Sequence, residues 1–361
     1  MATAKQLITR IEAGEFDGVF GRLYAHDAAV IETQRKRYIQ TIQAFEECFG
    51  EGRDLRIYSA PGRTELGGNH TDHNNGVVMA AGVNLDIIAV VSKNDNNVIN
   101  FKSKGFGRID GIDLNRLEPV ESEASHSAAL IRGVAAGVAK VGGKVGGFDC
   151  YTTSDVLGGS GLSSSAAFEV CMGAIFRGEY NDNDMKRFDQ VKNAMISQYA
   201  ENVFFGKKVL RDVDEETFLK AIPEVRKVTG DRAVVRAIHF YNDSRRAGEI
   251  YEAIKADDFD RFLQLIIEGG HSSFEFNQNA YSIKNPQEQG VPLALAISQK
   301  VLNGRGAWRL QGGGFAGTIQ AFVPLALLET YKNAIDAVFG AGSCHVLSVR
   351  NYGAVMVTPD M

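Results

Sequence analysis

Two stretches of this chain carry residue types and spacings suited to chemistry on an anion. The first is Asp155-Val-Leu-Gly-Gly-Ser-Gly-Leu-Ser-Ser-Ser-Ala166, in which three glycines fall within four residues and three serines follow. Glycine tolerates positive φ, so such a run forms a tight loop that leaves backbone N–H groups uncovered. The serines precede Ala167-Phe-Glu-Val-Cys-Met, which reads as helix, and hydroxyls at a helix start lie beside its free amide donors. Loop and helix N-terminus together form a cradle for polyphosphate, assigned to Gly158, Gly159, Ser160, Gly161, Leu162, Ser163, Ser164 and Ser165. Ser164 is the candidate ligand for Mg²⁺, which takes few protein groups and keeps several waters. The plain alternative is a glycine-serine turn capping an ordinary helix.

The second stretch is Pro61-Gly-Arg-Thr-Glu-Leu-Gly-Gly-Asn-His-Thr-Asp-His73. Arg63, Glu65, Asn69, His70, Asp72 and His73 crowd what reads as a loop, a density suited to recognising hydroxyl groups: carboxylates accept their protons and imidazoles donate or accept. Arg63 suits a transferring phosphoryl group. A solvated turn is the bland reading, and His70, Asp72 and His73 as metal ligands a minor one, since no distant fourth ligand is evident. A third stretch, Leu310-Gln-Gly-Gly-Gly-Phe-Ala-Gly317, lies between two strand-like runs. A hairpin turn needs fewer glycines than Gly312, Gly313 and Gly314 supply, so these fit a backbone that approaches a ligand or the phosphate loop closely. His126, His239, His271 and Trp308 read as structural. Neither the G-x-x-x-x-G-K-(S/T) loop nor a Rossmann G-x-G-x-x-G is present.

These residues need a scaffold, and 361 residues suffice for two domains. Asp27 caps a predicted helix with apolar residues at Ile31, Tyr38, Ile42, Phe45 and Phe49. Strands are expected at 55–60, in one or two pieces over 77–91, at 98–102 and at 148–153, and helices at 126–141 and from Ser164 to about Glu179. The strand before the phosphate cradle and the helix after it give the context the cradle requires. Asn181-Asp-Asn-Asp184 marks a turn and the edge of a first domain, 1–183. The second, 184–361, is expected to be mostly helical at first: 185–205, a segment opened by Asp214, 231–255, 257–269 and, after a loop bracketed by Pro286 and Pro292, 293–302. Strand at 318–323, helix at 325–339 and strands at 344–349 and 354–357 complete it. Strands and helices in blocks indicate α+β.

A net charge of −5 with interspersed signs gives no basic footprint for nucleic acid. Four scattered cysteines without a C-x-x-C pair argue against a zinc site or a secreted disulfide framework and fit a reducing cytoplasm. No apolar run approaches the ~20 residues of a membrane span, and the N-terminus lacks an apolar signal core.

In this order, the three glycine-rich stretches resemble the three motifs of the GHMP small-molecule kinases, and within them the galactokinases. The galactokinase signature G-R-x-N-(L/I)-I-G-E-H-x-D-Y stands against Gly62 to His73. The second motif, G-G-G-L-S-S-S-A, matches Gly159 to Ala166 with Ser160 for a glycine. The third, T-G-G-G-F-G-G, matches Gln311 to Gly317 with Gln311 and Ala316 as differences. The resemblance implies a two-domain GHMP fold, with an N-terminal ribosomal-protein-S5-like domain and a C-terminal ferredoxin-like α/β domain. It implies ATP-dependent phosphorylation of the anomeric hydroxyl of galactose with Mg²⁺, His70 and Asp72 on sugar hydroxyls and Arg63 at the transferring phosphate.

Two departures stand out. The family's glutamate before the histidine is Asn69, which loses charge-assisted strength toward a hydroxyl; Glu65, absent from the common signature, returns a carboxylate to the same loop. The family's C-G-x-x-D-Q loop, source of its catalytic aspartate, is missing: Gln198-Tyr-Ala-Glu-Asn-Val-Phe-Phe-Gly206 runs straight into Lys207-Lys208, and Asp189-Gln190 reads as a helix-surface pair. The resemblance therefore implies a second domain reduced, or a sequence incomplete, at that junction. It leaves two readings, an active galactokinase and a catalytically weak protein that binds galactose and ATP, with a GHMP kinase for another sugar as a third.

Overall fold

The structure is a computed structural model that describes residues 2–124, 126–156, 158, 161–189, 209–315 and 317–361. Its centre is a six-stranded sheet in the order β4-β3-β5-β2-β1-β8, formed by β1 (Arg56–Gly67), β2 (Met79–Lys93), β3 (Val98–Ser103), β4 (Arg108–Asp113), β5 (Phe148–Ser154) and β8 (Val355–Met356). Neighbours pair antiparallel except β3 with β5. Strand β4 is an addition to the expected set. The expected 77–91 run forms one long strand, β2, which begins at Met79 and runs on to Lys93.

Both faces of this sheet are covered, which is why β2 reads as a nearly continuous apolar run. On one face Ile87, Ala89 and Val91 join Tyr58 and Phe148 beneath α4 (Ser127–Lys140) and α5 (Ser164–Tyr180). On the other, Ile88 and Val90 join Ile57 beneath α1 (Ala4–Glu12), α2 (Asp17–Leu23) and α3 (Ala28–Phe49). Each fully buried Ile or Val contributes roughly 1.5–3 kcal/mol by leaving water. As the sequence indicates, the Asp27 carboxylate accepts the amides of Ala29 and Val30, at 2.9 and 3.0 Å, and caps α3.

One charge interrupts that apolar run. Asp86 is fully buried, and its carboxylate accepts from Arg37 at 2.7 Å, Arg350 at 3.2 Å, Tyr24 at 2.7 Å and the Ser59 hydroxyl. Burial opposes its charge, yet the two guanidiniums and these hydroxyls hold the carboxyl below its ordinary range. The cluster also fixes the entry to the phosphate cradle, since the Asp155 amide donates to the Asp86 carbonyl at 3.0 Å and Arg37 meets the Asp155 carboxylate at 3.0 Å.

The second half consists of α6 (Glu215–Thr229), α7 (Asp231–Lys255), α8 (Phe259–Ser272), α9 (Gly290–Leu302), the hairpin β6 (Ala307–Gln311) and β7 (Thr318–Phe322), and α10 (Leu328–Phe339). Pro292 lies inside the first turn of α9, where a missing N–H costs no helix bond, and so does not bound the preceding loop. The expected strand at 344–349 is absent. That segment is irregular, and Val349 alone bridges to Val83. The described residues at the start of the expected 185–205 helix, 185–189, form turns; 190–208, which includes Gln190 and the Lys207–Lys208 junction, lie outside the described residues. The C-terminal segment returns to the first sheet, with Arg350 donating its amide to Gly82 at 2.8 Å and Met356 opposite Tyr58.

Candidate active site

The upper end of β1 carries the site. The strand continues to Gly67, past the expected end at Ala60, because its residues keep pairing with β2 through irregularities between Pro61 and Arg63 and between Glu65 and Gly67. Arg63 and Glu65 are therefore rigid strand positions, and the loop proper spans 68–78. Gly68 turns the chain out of the strand at φ +79°, and Thr71 ties the loop to itself through the carbonyls of Gly68 and Val77. Helix α7 packs across this corner, where a Cβ on Gly67 would stand 2.8 Å from Ile250.

Arg63 joins the second stretch to the candidate phosphate cradle of the first. Its amide donates to the Leu162 carbonyl at 3.0 Å, and its Nη1 donates to the Gly161 carbonyl at 2.7 Å. Gly161 has φ +72° and Ser163 φ +57°, so the chain turns sharply into α5. Among the described residues no side chain caps that helix, leaving its first amides turned toward the loop. Ser164 is half-buried, Ser165 is exposed and the Leu162 side chain enters the core, so Leu162 offers only its backbone. A Cβ on Gly158 would meet nothing within 4 Å. Gly159 and Ser160 lie outside the described residues. The donors present, helix amides and serine hydroxyls, fit a polyphosphate with its magnesium ion.

The third stretch is the connection of the β6–β7 hairpin, closed by the pairing of Gln311 with Thr318. It does approach the cradle: a Cβ on Gly312, at φ +61°, would fall 2.8 Å from the Gly161 Cα. Gln311 staples all three stretches together, donating to the Gly161 carbonyl at 3.1 Å and accepting from the Thr64 hydroxyl at 3.2 Å and the Glu65 amide at 3.3 Å. A Cβ on Gly313 would stand 3.1 Å from His70 Nε2, a tight contact that the imidazole would have to yield to by a few tenths of an ångström. Gly314, at φ +76°, passes closer still to the Asn279 carbonyl, where a Cβ would clash outright.

His70 and Asp72 face solvent, the Asp72 side chain being 68% exposed. Glu65 and Asn69 do not. Glu65 Oε1 accepts from Asn69 Nδ2 at 2.9 Å and from Arg309 Nη2 at 3.1 Å. Asn69 is fully buried, donates also to the Gly312 carbonyl at 2.8 Å, and accepts from Asn277 at 3.2 Å and Asn279 at 2.9 Å. Their side chains hold the loop from beneath. Asp72 is thus the carboxylate that the 62–73 stretch presents to solvent. The ligand atoms of His70, Asp72 and His73 lie within 4.8 Å of one another, and His73 Nδ1 stands 3.8 Å from Asp72 Oδ1, wider than the roughly 3.3 Å edge that zinc bonds of ~2.0–2.1 Å would draw.

Several supporting residues carry no motif signal. Asp243 accepts the Asn69 amide and pairs with Arg246. His239 bridges the Asn69 carbonyl and Ser272 Oγ, each at 2.9 Å. Because a carbonyl only accepts, Nε2 carries the proton and Nδ1 accepts from the serine. Burial pushes the His239 pKa below its ordinary value, against the opposing pull of Asp243. Arg309, the largest fully buried side chain among the described residues, donates to the Leu66 carbonyl at 2.8 Å, and Gly269 and Gly270 of α8 make room for it.

Residues 43–93 match the galactokinase galactose-binding signature. The galactokinase of Actinobacillus pleuropneumoniae serotype 5b is 27% identical over 81% of this chain and 91% of its own length. In sequence the chain is most like the galactokinases of the GHMP kinase superfamily. The galactokinase of Clostridium tetani reaches 32% identity over 45% of this chain and 40% of its own. In fold, the chain resembles the crystal structure of Lactococcus lactis galactokinase complexed with galactose, at a TM-score of 0.67 and 18% identity over 90% of this chain and 98% of that one. A D-glycero-D-manno-heptose 1-phosphate kinase shares the fold at 0.56 and 15% identity over 84% and 98% of the two chains. The α+β architecture is thus that of the GHMP kinases.

Proposed function

We propose that this chain transfers the γ-phosphoryl group of ATP to the anomeric hydroxyl of galactose, releasing galactose 1-phosphate, ADP and a proton. The observation that carries the reading is the convergence of the three glycine-rich stretches on one point, with Arg63 on Gly161 and Gln311 on both. His70 and Asp72 hold sugar hydroxyls at the mouth of the loop. The amides and hydroxyls of Gly158 to Ser165 hold the triphosphate, Gly312 to Gly314 close over it, and Ser164 holds Mg²⁺. Bound there, the ion would supply charge neutralisation to the phosphate oxygens. Arg63 keeps one guanidinium nitrogen on the loop and turns its charge toward the transferred group.

The absence of a C-G-x-x-D-Q loop does not remove this activity. Phosphoryl transfer rests mainly on positioning and charge stabilisation, and a general base adds typically about 10²- to 10⁴-fold. We assign 1–183 to the S5-like domain and 184–361 to the ferredoxin-like one, with the last strand returned to the first sheet. Its setting is the cytoplasm, its partners galactose and ATP, and neither nucleic acid nor membrane takes part. Phosphorus NMR of the product tests the assignment: the anomeric doublet of galactose 1-phosphate is expected, and a phosphate on another carbon overturns it.

A further inference from the structure

The family signature places asparagine at position 65 and glutamate at position 69, whereas this chain has Glu65 and Asn69. The two side chains touch, Asn69 Nδ2 donating to Glu65 Oε1 at 2.9 Å. We propose that Glu65 and Asn69 are a reciprocally exchanged pair of positioning residues: the carboxylate has moved from loop to strand, Arg309 neutralises it there, and the freed amide pins the sugar loop to the third glycine turn.

The hydrogen-bond inventory supports this. An asparagine side chain has two donors and an acceptor oxygen. Asn69 spends the donors on Glu65 and the Gly312 carbonyl, and the oxygen on Asn277 and Asn279. It is also fully buried, so it has nothing left to offer a sugar. A glutamate at position 69 can accept but not donate, and its oxygens would oppose both the Glu65 carboxylate and the Gly312 carbonyl. The converse holds for an asparagine at position 65, which would leave Arg309, itself fully buried, without a counter-charge. Because the two side chains point at each other, exchanging a longer and a shorter one preserves the total reach between β1 and the loop. Positions 65 and 69 therefore change compatibly only together. The sugar site keeps His70 and Asp72 as its polar contacts, and the pair below sets where they stand.

The sugar part of this proposal rests on the galactose kinase reading; the pairing itself does not. The test is a double-mutant cycle on the full chain with E65N, N69E and E65N/N69E, read by melting temperature without ligand and by calorimetric affinity for galactose and for ATP. Each single substitution is expected to lower the melting temperature by about 3 °C or more, since each leaves a buried charge unpaired or opposed. Galactose affinity is expected to fall by about tenfold or more with ATP affinity within about threefold, because a misplaced loop weakens hydroxyl contacts and leaves the phosphate cradle in place. The double variant should recover more than half of both losses, short of full recovery because the introduced carboxylate cannot donate to the Gly312 carbonyl. Additive losses, or an E65N chain indistinguishable from the parent, overturn the pairing. Equal loss of ATP and galactose affinity overturns the positioning role and leaves a purely structural one. Failure of the parent chain to bind galactose removes the kinase reading instead, and the melting cycle still decides the pair.

Discussion

The Arg63 guanidinium donates through Nη1 to the Gly161 carbonyl at 2.7 Å, tying the strand that ends in the sugar loop to the loop that cradles phosphate. One side chain thus sets the distance between the two proposed substrate sites. Lysine at this position keeps the charge but loses the planar fork, so it cannot hold Gly161 and face a phosphoryl group together. Arg63→Lys is expected to lower kcat by about 10²- to 10³-fold, the loss typical of a deleted donor to developing charge. The KM for galactose should change far less. Steady-state kinetics with varied galactose checks this, and a change confined to KM contradicts it.

A methyl group at Gly312 has no place to go. Its φ is +61°, and the added Cβ would stand 2.8 Å from the Gly161 Cα. The left-handed conformation alone costs about 1–2 kcal/mol for an alanine, and relieving the clash must move the phosphate loop. Gly312→Ala should therefore weaken ATP more than galactose in calorimetric titrations. Unchanged ATP affinity with an unchanged melting temperature is the opposing result.

Asp86 should be the costliest core charge to remove. Asp86→Ala leaves Arg37 and Arg350 facing each other across a buried gap, and breaking a buried pair of this kind costs about 3–5 kcal/mol. Urea denaturation is expected to show that loss with an unchanged slope. Because Arg37 also holds Asp155, residual folded protein should bind ATP weakly.

The buried imidazole of His239 makes stability depend on pH. Its folded pKa is lowered below 6.5 by burial, so the native state binds fewer protons than the unfolded chain just below that value. Its contribution is complete above pH 6.5 and is lost as pH falls toward the folded pKa. The melting temperature should drop as pH falls from about 7 to below 6.5. His239→Gln keeps a donor to the Asn69 carbonyl and cannot titrate, so its drop across the same interval should be smaller. Parallel curves for both chains count against this account.

Much of this site was legible because glycine clusters announce themselves by spacing. The 158–165 run, the 62–73 run and the 312–314 run each stand out before any fold is known, and helix limits such as Asp27 and the 231–255 span follow from caps and periodicity. What the chain hides is partnership. Nothing in the sequence around Arg309 or Asp243 tells that they meet Glu65 and Asn69 from 244 and 174 residues away. The 61–67 run reads as loop because Pro61, Gly62 and Gly67 interrupt it among polar residues, yet pairing with β2 overrides local propensity and makes it strand. The segment 344–349 alternates like a strand but finds no edge to join beyond Val83.

This chain is expected to turn over as a kinase despite the missing C-G-x-x-D-Q loop. Galactose-dependent release of ADP from Mg·ATP, on protein of verified intact mass, tests it most directly. Turnover above the sugar-free control, reduced in Arg63→Lys, is the predicted result. No turnover, with galactose and ATP still bound, contradicts it and makes the chain a binding protein built on a kinase frame.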